Sequence, residues 1–400
     1  MIPLEEAQTY VRERVTPTPA ELVPLDEAHG LVLAEPVVSV EAVPPFANTA
    51  MDGFAVRAAD TAAAPVSLDL VGTIAAGDAP DLTVGSGQAV RIMTGAPMPD
   101  GADAVVMVER TSVDDDGDSV EVEIRVEPGN HVREAGEDVQ PGDEVFPAGT
   151  HLLAGHLGVL ASIGMFEVMA HLRPRVGVVS TGDELVEGPG PLCPGQIRDS
   201  NRRTLLAMLA EAGFEPIDLG LSPDDPDAIE AAFRRGAETC DAILSSGGVS
   251  MGDFDYVKVV LDRIGDMRWM QIAIKPAKPF AFGLVDGVPV FGLPGNPVSS
   301  MVSYELLAKP ALRAMAGLSD VGPALVKGRS GDVLAHAPDG KTHFLRVGVS
   351  RADDGVWEVS RSGGQGSHQL TAMARAGALA VVPDGVEVGP GDPIDLILLT

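Results

Sequence analysis

From Arg175 onward the apolar positions repeat one rhythm: a short run, a loop, then a stretch of helical spacing. RVGVVSTGDEL reads as a strand entering a loop, and DSNRRTLLAMLAEAG as a helix with Asp199 or Ser200 as N-cap and Gly213 closing it. PIDLGL is the next strand, and DDPDAIEAAFRRGAE a helix with Pro226 suited to its first turn. AILSSGG is a third strand and DFDYVKVVLDRIG a third helix. VPVFGLPGNP is a further strand entering a tight turn, and PVSSMVSYELLAKPALRAMAG a helix expected to kink or break near Pro310. The alternation predicts an α/β domain with a doubly wound, mainly parallel sheet and helices on both faces. Ligands of such sheets sit beyond the carboxyl ends of the strands, so STGDEL, SSGGVSMGD and LPGNPVS should gather along one edge.

The flanking texture is different. Residues 1 to 173 begin with a helix and continue as short alternating stretches such as VSLDLVG, AVVMVER and VEVEIRV, closely punctuated by proline and glycine. This reads as mostly β structure, with AGHLGVLASIG as a short helix near its end. DVQPGDEVFPAGTHL resumes after the acidic tip DDDGD, which predicts an inserted β-rich domain over 48–138 within an amino-terminal linker domain made of 1–47 and 139–173. The α/β domain is expected over 174–318. HFLRVGV, VWEVS, LAVVP and PIDLILL then predict a small carboxy-terminal β domain over 319–400.

Composition narrows the function classes. The 400 residues are 45% apolar and 22% charged, a globular balance with material for about two to four domains. A net charge of −30 argues against nucleic acid as partner, because phosphate backbones would be repelled over most of the surface. An anionic substrate must therefore find a local positive pocket. Cys193 and Cys240 stand far apart without metal-ligand spacing, which fits a reducing compartment and no disulfide framework. MIPLEEAQTYVRERV is acidic and amphipathic, unlike a signal peptide. No apolar run approaches the roughly 18 residues that span a bilayer, and the expectation is a soluble, cytoplasmic protein.

Several stretches carry candidate chemistry, each with a plainer alternative. In LSSGGVSMGDFDYVK, the small residues Gly247, Gly248 and Ser250 leave the main chain open to an anion, with Asp253 or Asp255 beside it for a bridging metal. The alternative is an ordinary Gly-Gly turn with solvated acids. IKPAKPFAFG fixes Lys275 and Lys278 between prolines, either as an oxyanion site or as a surface pair. STGDEL offers Asp183 and Glu184 at a strand end, suitable for Mg²⁺ or equally a plain loop. Pro294, Gly295 and Asn296 combine a rigid turn with a helix start, a place that attracts anions or merely turns the chain. AMDGFAV reads first as an Asp-Gly turn, RIMTGAPMP as a strand and turn with the Thr94 hydroxyl available, and RSGGQGSHQL as a loop that carries an anion or only reverses direction. His151 and His156 read as packing or surface residues.

PPFANTAMDGFAV, RIMTGAPMP, VREAGED, STGDEL, SSGGVSMGDFDY, IKPAKPF, LPGNPVS and QGSH occur in that order over about three hundred residues. Together they resemble the molybdopterin molybdenumtransferases, or molybdenum insertases, bacterial relatives of the gephyrin E domain. The resemblance implies an elongated homodimer of four-domain subunits, with the linker domain serving dimerisation and the active site completed by the partner's amino-terminal part. It implies insertion of molybdate into adenylylated molybdopterin, with Mg²⁺-dependent cleavage of the phosphoanhydride and release of AMP and molybdenum cofactor. Transient partners would be the adenylyltransferase and apo-molybdoenzymes.

Residue by residue, the resemblance places Asp52 and Thr94 at the intersubunit site and gives Asp52, Glu184 and Asp255 catalytic roles, the last two as metal ligands. Asp138 and Asp224 fall on further functional acidic positions. Lys275, Lys278, Arg346 and Ser367 match the set implied in binding molybdate or pterin phosphate, and Gly247, Gly248, Ser250, Pro294, Gly295 and Asn296 the loops facing the nucleotidylated pterin. Ala47 stands where an aspartate is usual and Phe54 where a tyrosine is usual, which puts local hydrogen bonding in doubt. The competing readings are a non-catalytic scaffold and a molybdopterin adenylyltransferase. The latter would not require AMDGFAV, TGAP or the carboxy-terminal β domain.

Overall fold

A computed structural model of the protein describes residues 1–79, 81–248 and 256–399; Ser250, Asp253 and Asp255 therefore lie outside the described residues. The chain divides into two compact units, one of Met1–Leu22, Gly30–Ala34 and Met169–Thr400, the other of Val23–His29 and Glu35–Val168.

The first unit is built on a six-stranded sheet of β1 (Arg175–Thr181), β2 (Glu215–Ser222), β3 (Ala242–Ser246), β4 (Gly265–Gln271), β5 (Pro279–Val285) and β6 (Val288–Leu293), in the order β2-β1-β3-β6-β5-β4. The first four in that order run parallel and the last two antiparallel. Side chains alternate between two buried faces, as a doubly covered sheet requires. Val176, Val178, Leu244 and Phe291 pack with Leu205 and Leu209 of α1 (Asn201–Glu211), and with Ala7 and Val11 of the amino-terminal helix Leu4–Arg12. Val179, Ile243 and Val290 pack on the other face with Phe233 of α2 (Pro226–Thr239) and Val260 of α3 (Tyr256–Ile264).

The antiparallel pair β4 and β5 goes beyond the rhythm of the sequence. The signal for β5 is Asp286-Gly287, whose φ values of 51° and 85° make the two-residue turn that joins β5 to β6 and pairs Val285 with Val288. The helix after β6 also departs from a simple kink. α4 (Pro297–Ser303) passes through a π-helical turn at Tyr304–Ala308 before α5 (Lys309–Met315), which carries Pro310 in its first turn. Proline has no N–H to offer the carbonyl four residues back, and Gln8 Nε2 donates to that carbonyl, on Leu306, at 2.8 Å.

At the carboxy terminus, Leu325–Ser330, Thr342–Arg351, Trp357–Arg361, Ala378–Val382 and Pro393–Leu398 close into a small β-barrel, since Thr342–Arg351 pairs with both Trp357–Arg361 and Ala378–Val382. Val347, Val359 and Leu396 fill it. In the second unit a six-stranded sheet runs Ala104–Met107, Gly53–Val56, Gln88–Ile92, Val66–Ile74, Ser119–Val122, Thr111–Val113. Phe54 and Val56 enter one core and Ala55 the other, the period-two pattern of a strand.

Arg202 anchors the start of α1. It is 2% exposed, bonds Asp199 Oδ2 through Nε at 3.0 Å, and pairs with Asp218 and Glu187. The Asp199 side chain, 1% exposed, also accepts from the Ser180 hydroxyl and from the Arg202 amide, so it caps α1 from one residue before the N-cap position of Ser200. Removing the guanidinium leaves that carboxylate buried without a countercharge, so Arg202→Met should destabilise this domain by about 3 kcal/mol in urea unfolding, against less than ~0.5 for exposed Arg203→Met. Equal midpoints for the two variants would contradict this account of α1.

Candidate functional site

The chain leaves β1 for β2 on one side, then crosses to β3 on the other, so the crevice between β1 and β3 lies at a topological switch point. Three loops meet there. Gly247 N donates to Leu293 O at 3.1 Å, a Cβ on Gly247 would lie 3.3 Å from Thr181 O, and one on Gly295 would lie 3.8 Å from Gly247 Cα. Asn201 at the start of α1 locks the arrangement, donating from Nδ2 to Ser246 Oγ at 2.8 Å and Gly295 O at 2.7 Å. Gly248, with φ 71°, leaves no space for a Cβ, which would lie 2.3 Å from Val257 Cβ. Asn201 carries no motif; its only signal in the sequence is its place at a helix start.

Two expectations about free amides are corrected here. The Gly247 amide is already engaged by Leu293 O. At the start of α4, Asn296 occupies the N-cap without a side-chain bond, and the Val298 amide donates to Ser367 O at 3.1 Å. The glycines thus serve close approach of the backbone more than donation, and the QGSH loop satisfies the helix start.

The acids sit at the rim. Asp183 N donates to Asp224 Oδ2 at 3.4 Å and Asp224 N to Asp183 Oδ1 at 3.0 Å, which stitches the loops after β1 and β2 together. Glu184 is exposed and folds against Gly182, whose absent Cβ would lie 2.4 Å from its Oε2. Its carboxylate bonds no group among the described residues, the kind of acid that Mg²⁺ takes together with its waters. Glu184 belongs to no three-ligand cluster among the described residues, and Asp255 lies outside them.

The positive charge comes from the loop between β4 and β5. Lys275 and Lys278 are exposed, 59% for the Lys275 side chain, and flank Ala277, which is 3% exposed with φ 75°. Lys278 pairs with no carboxylate among the described residues. Lys275 lies 3.8 Å from Asp339 Oδ2, a barrel residue that no motif singled out. Arg346 is fully buried in the barrel, where Nη2 donates to Gly364 O at 2.6 Å and Gly366 O at 3.2 Å. Its Nε and Nη1 have no partner among the described residues, and burial pushes its pKa down. Arg346 therefore holds the loop that carries Ser367, with three N–H groups unpartnered among the described residues.

The second unit carries Asp52, Thr94 and Asp138. Asp52 is exposed, and its Oδ1 accepts from both the amide and the hydroxyl of Thr94, each at 2.7 Å. The Thr94 backbone bond, then its hydroxyl, hold the carboxyl below its ordinary pKa, with Arg91 adding a smaller pull. The Asp-Gly pair is not a hairpin tip: Gly53 opens a strand so close to its neighbour that a Cβ would lie 2.1 Å from Val106 O. Phe54 is 1% exposed within the core, where a ring without a hydroxyl needs no polar partner. Ala47 offers its carbonyl to Met98 N at 2.9 Å. Asp138 is exposed beside the Val43–Val139 bridge, its amide donating to Val43 O at 2.9 Å.

A doubly wound domain with a glycine-lined crevice at its switch point, flanked in sequence by β-rich regions, has the architecture of a ligand-binding α/β domain. Residues 2–164 match the family described as MoeA N-terminal region (domain I and II), 177–314 the probable molybdopterin binding domain, and 334–399 the MoeA C-terminal region (domain IV). The chain is 38% identical over 383 residues to the molybdopterin molybdenumtransferase of Haemophilus influenzae, covering 96% of this chain and 94% of that protein. It is 40% identical over 375 residues to that of Nostoc sp., covering 91% and 85%. The crystal structure of the molybdopterin biosynthesis moeA protein from Pyrococcus horikoshii superposes with a TM-score of 0.84 at 29% identity, covering both chains fully. The chain belongs to the molybdopterin molybdenumtransferase family. No helix among the described residues is long and apolar enough to cross a membrane.

Asp52 should remain ionised below the usual carboxylate range. Thr94→Val removes the hydroxyl donor while the backbone bond persists, so the Asp52 carboxyl should titrate at higher pH than in the wild type when followed by carbon-detected NMR. A midpoint unchanged by the substitution would show that the hydroxyl does not hold the charge.

Proposed function

We propose that this protein inserts molybdate into adenylylated molybdopterin, cleaving the phosphoanhydride and releasing AMP and molybdenum cofactor. The observation that carries this reading is the meeting of the β1, β3 and β6 loops in a glycine-lined crevice of a chain whose net charge is −30, with two exposed lysines on a stiffened loop of the same unit. An oxyanion finds few other attractive places on such a surface.

Gly247, Gly248 and Gly295 let the nucleotidylated pterin approach the backbone, which Asn201 keeps in register. Lys275 and Lys278 bind and orient molybdate and stabilise charge that develops at the transferred oxygen atoms. Glu184, whose carboxylate bonds no group among the described residues, would hold Mg²⁺ together with Asp255, and the ion would supply neutralisation of pyrophosphate charge. Asp52, kept ionised by Thr94, acts as an anionic or proton-accepting group contributed by the amino-terminal part of a partner subunit, in a homodimer that works in the cytoplasm. Asp138 and Asp224 add acidic positions at the site, while Arg346 and Ser367 hold its barrel side. The amino- and carboxy-terminal family regions favour this reading over an adenylyltransferase, which needs neither.

The test is AMP release from adenylylated molybdopterin with Mg²⁺, with and without molybdate, alongside reconstitution of a molybdenum-free apoenzyme. Molybdate-dependent release with reconstitution is expected, and tight binding without turnover would point to a scaffold. In the same assay Lys278→Ala should raise the molybdate concentration for half-maximal release about tenfold, the scale of one charge-assisted hydrogen bond. An unchanged requirement would remove Lys278 from the oxyanion site.

A further inference from the structure

Lys275 is held by more than its own loop. Ile274–Lys275 pairs in parallel with Thr342–His343, setting Lys275 opposite His343, and Thr342 N donates to Ala273 O at 3.0 Å. That register brings the Lys275 ammonium 3.8 Å from Asp339 Oδ2. The same oxygen accepts from Lys341 Nζ at 2.9 Å, and Oδ1 lies 3.2 Å from His343 Nε2. Asp339 sits on a fixed turn, because its own amide donates to Asp384 Oδ1 at 2.9 Å. His343 is 4% exposed and stacks on His336 at 3.4 Å with the rings 5° from parallel. One carboxylate thus faces two ammonium groups and an imidazole.

His336, Asp339 and His343 could be mistaken for a metal site, since their ligand atoms all lie within 4.8 Å of one another. The geometry disfavours it. An imidazole lone pair lies in the ring plane, and no ion lies in the planes of two parallel rings stacked face to face. Lys341 also occupies the carboxylate that an ion would need.

We propose that Asp339 is a positioning residue for Lys275, steering its ammonium toward the oxyanion while leaving its donors free; this rests on the oxyanion-binding role of Lys275 given above. At 3.8 Å the pair attracts without a hydrogen bond, so no group among the described residues takes the N–H donors that Lys275 would offer the substrate. Lys341, with 18% of its side chain exposed against 59% for Lys275, takes up the hydrogen bond that would otherwise capture Lys275. The carboxylate stays charged throughout the neutral range: its pKa falls to about 2, mainly through the Lys341 bond and then that of His343. Burial lowers the pKa of His343, which favours its neutral form as the donor to Asp339. Without Asp339, the flexible stem of Lys275 regains its rotamers and meets the uncompensated charge of Lys341.

A double-mutant cycle on the full-length protein decides the matter, read as the KM for molybdate in molybdate-dependent AMP release. Asp339→Asn keeps the shape and should raise that KM about 3- to 5-fold, the range of an exposed ion pair, with the KM for adenylylated molybdopterin unchanged. In a Lys275→Ala background the same substitution should have no further effect, and Asp339→Glu should restore most of the loss. An unaltered KM in Asp339→Asn, or an equal rise in both backgrounds, would overturn the positioning role. A Lys275→Ala single variant with wild-type KM would instead overturn the oxyanion role of Lys275 itself, and the present inference with it. Thermal unfolding of each variant controls for folding, and Asp339→Ser carries the cycle if the asparagine variant proves unstable.

Discussion

Parallel pairing of β1, β3 and β6 is the constraint on which the site depends. Parallel strands can be joined only by crossovers, so both faces of the sheet are covered and the strands themselves must be apolar throughout. The chemistry is thereby pushed to the strand ends. With both neighbours of β3 parallel to it, the loops after Thr181, Ser246 and Leu293 leave the same edge, and glycine at 247 lets the first two crowd together while glycine at 248 makes room for Val257 of α3. Asn201 then ties two of them with a single amide group.

Charge supplies the second constraint. A chain this acidic gives anions few places to settle, and the two lysines proposed above to receive one are carried on the loop between β4 and β5. That loop is not left to itself: Ile274–Lys275 joins the edge of the barrel, and the buried core of the α/β domain includes Phe344, Leu379 and Ile397 of the barrel. The barrel therefore acts on the site through backbone pairing and packing, and Arg346 extends the same support to the loop of Ser367.

The α/β class was legible in the sequence because each strand and helix of its parallel part carries an unmixed period, as in RVGVVST and AIEAAFRR. β4 and β5 were not, since PFAFGLV lacks alternation and β5 runs antiparallel to β6 only because a two-residue turn at Asp286-Gly287 reverses the chain. The glycine-rich and lysine-bearing loops could be found as motifs, and the structure brings Gly247 beside Gly295 and Asp224 beside Asp183. What the sequence could not reveal was which amides are already taken. Leu293 O and Ser367 O claim two of them, and those contacts join residues 46 and 69 positions apart. Asn201, Asp339 and the burial of Arg346 were illegible for the same reason: their meaning lies in partners brought close only by the fold. The turn reading of Asp52-Gly53 failed because Gly53 is demanded by a neighbouring strand rather than by a local reversal.

The central claim is that the lysine loop beside the sheet's carboxyl edge receives the oxyanion. The most direct measurement is anomalous diffraction at the molybdenum absorption edge from crystals soaked in molybdate. The account predicts a peak within hydrogen-bonding reach of Lys275 and Lys278, lost in the Lys275→Ala/Lys278→Ala variant. A peak that persists in that variant, or lies away from both lysines, would contradict it.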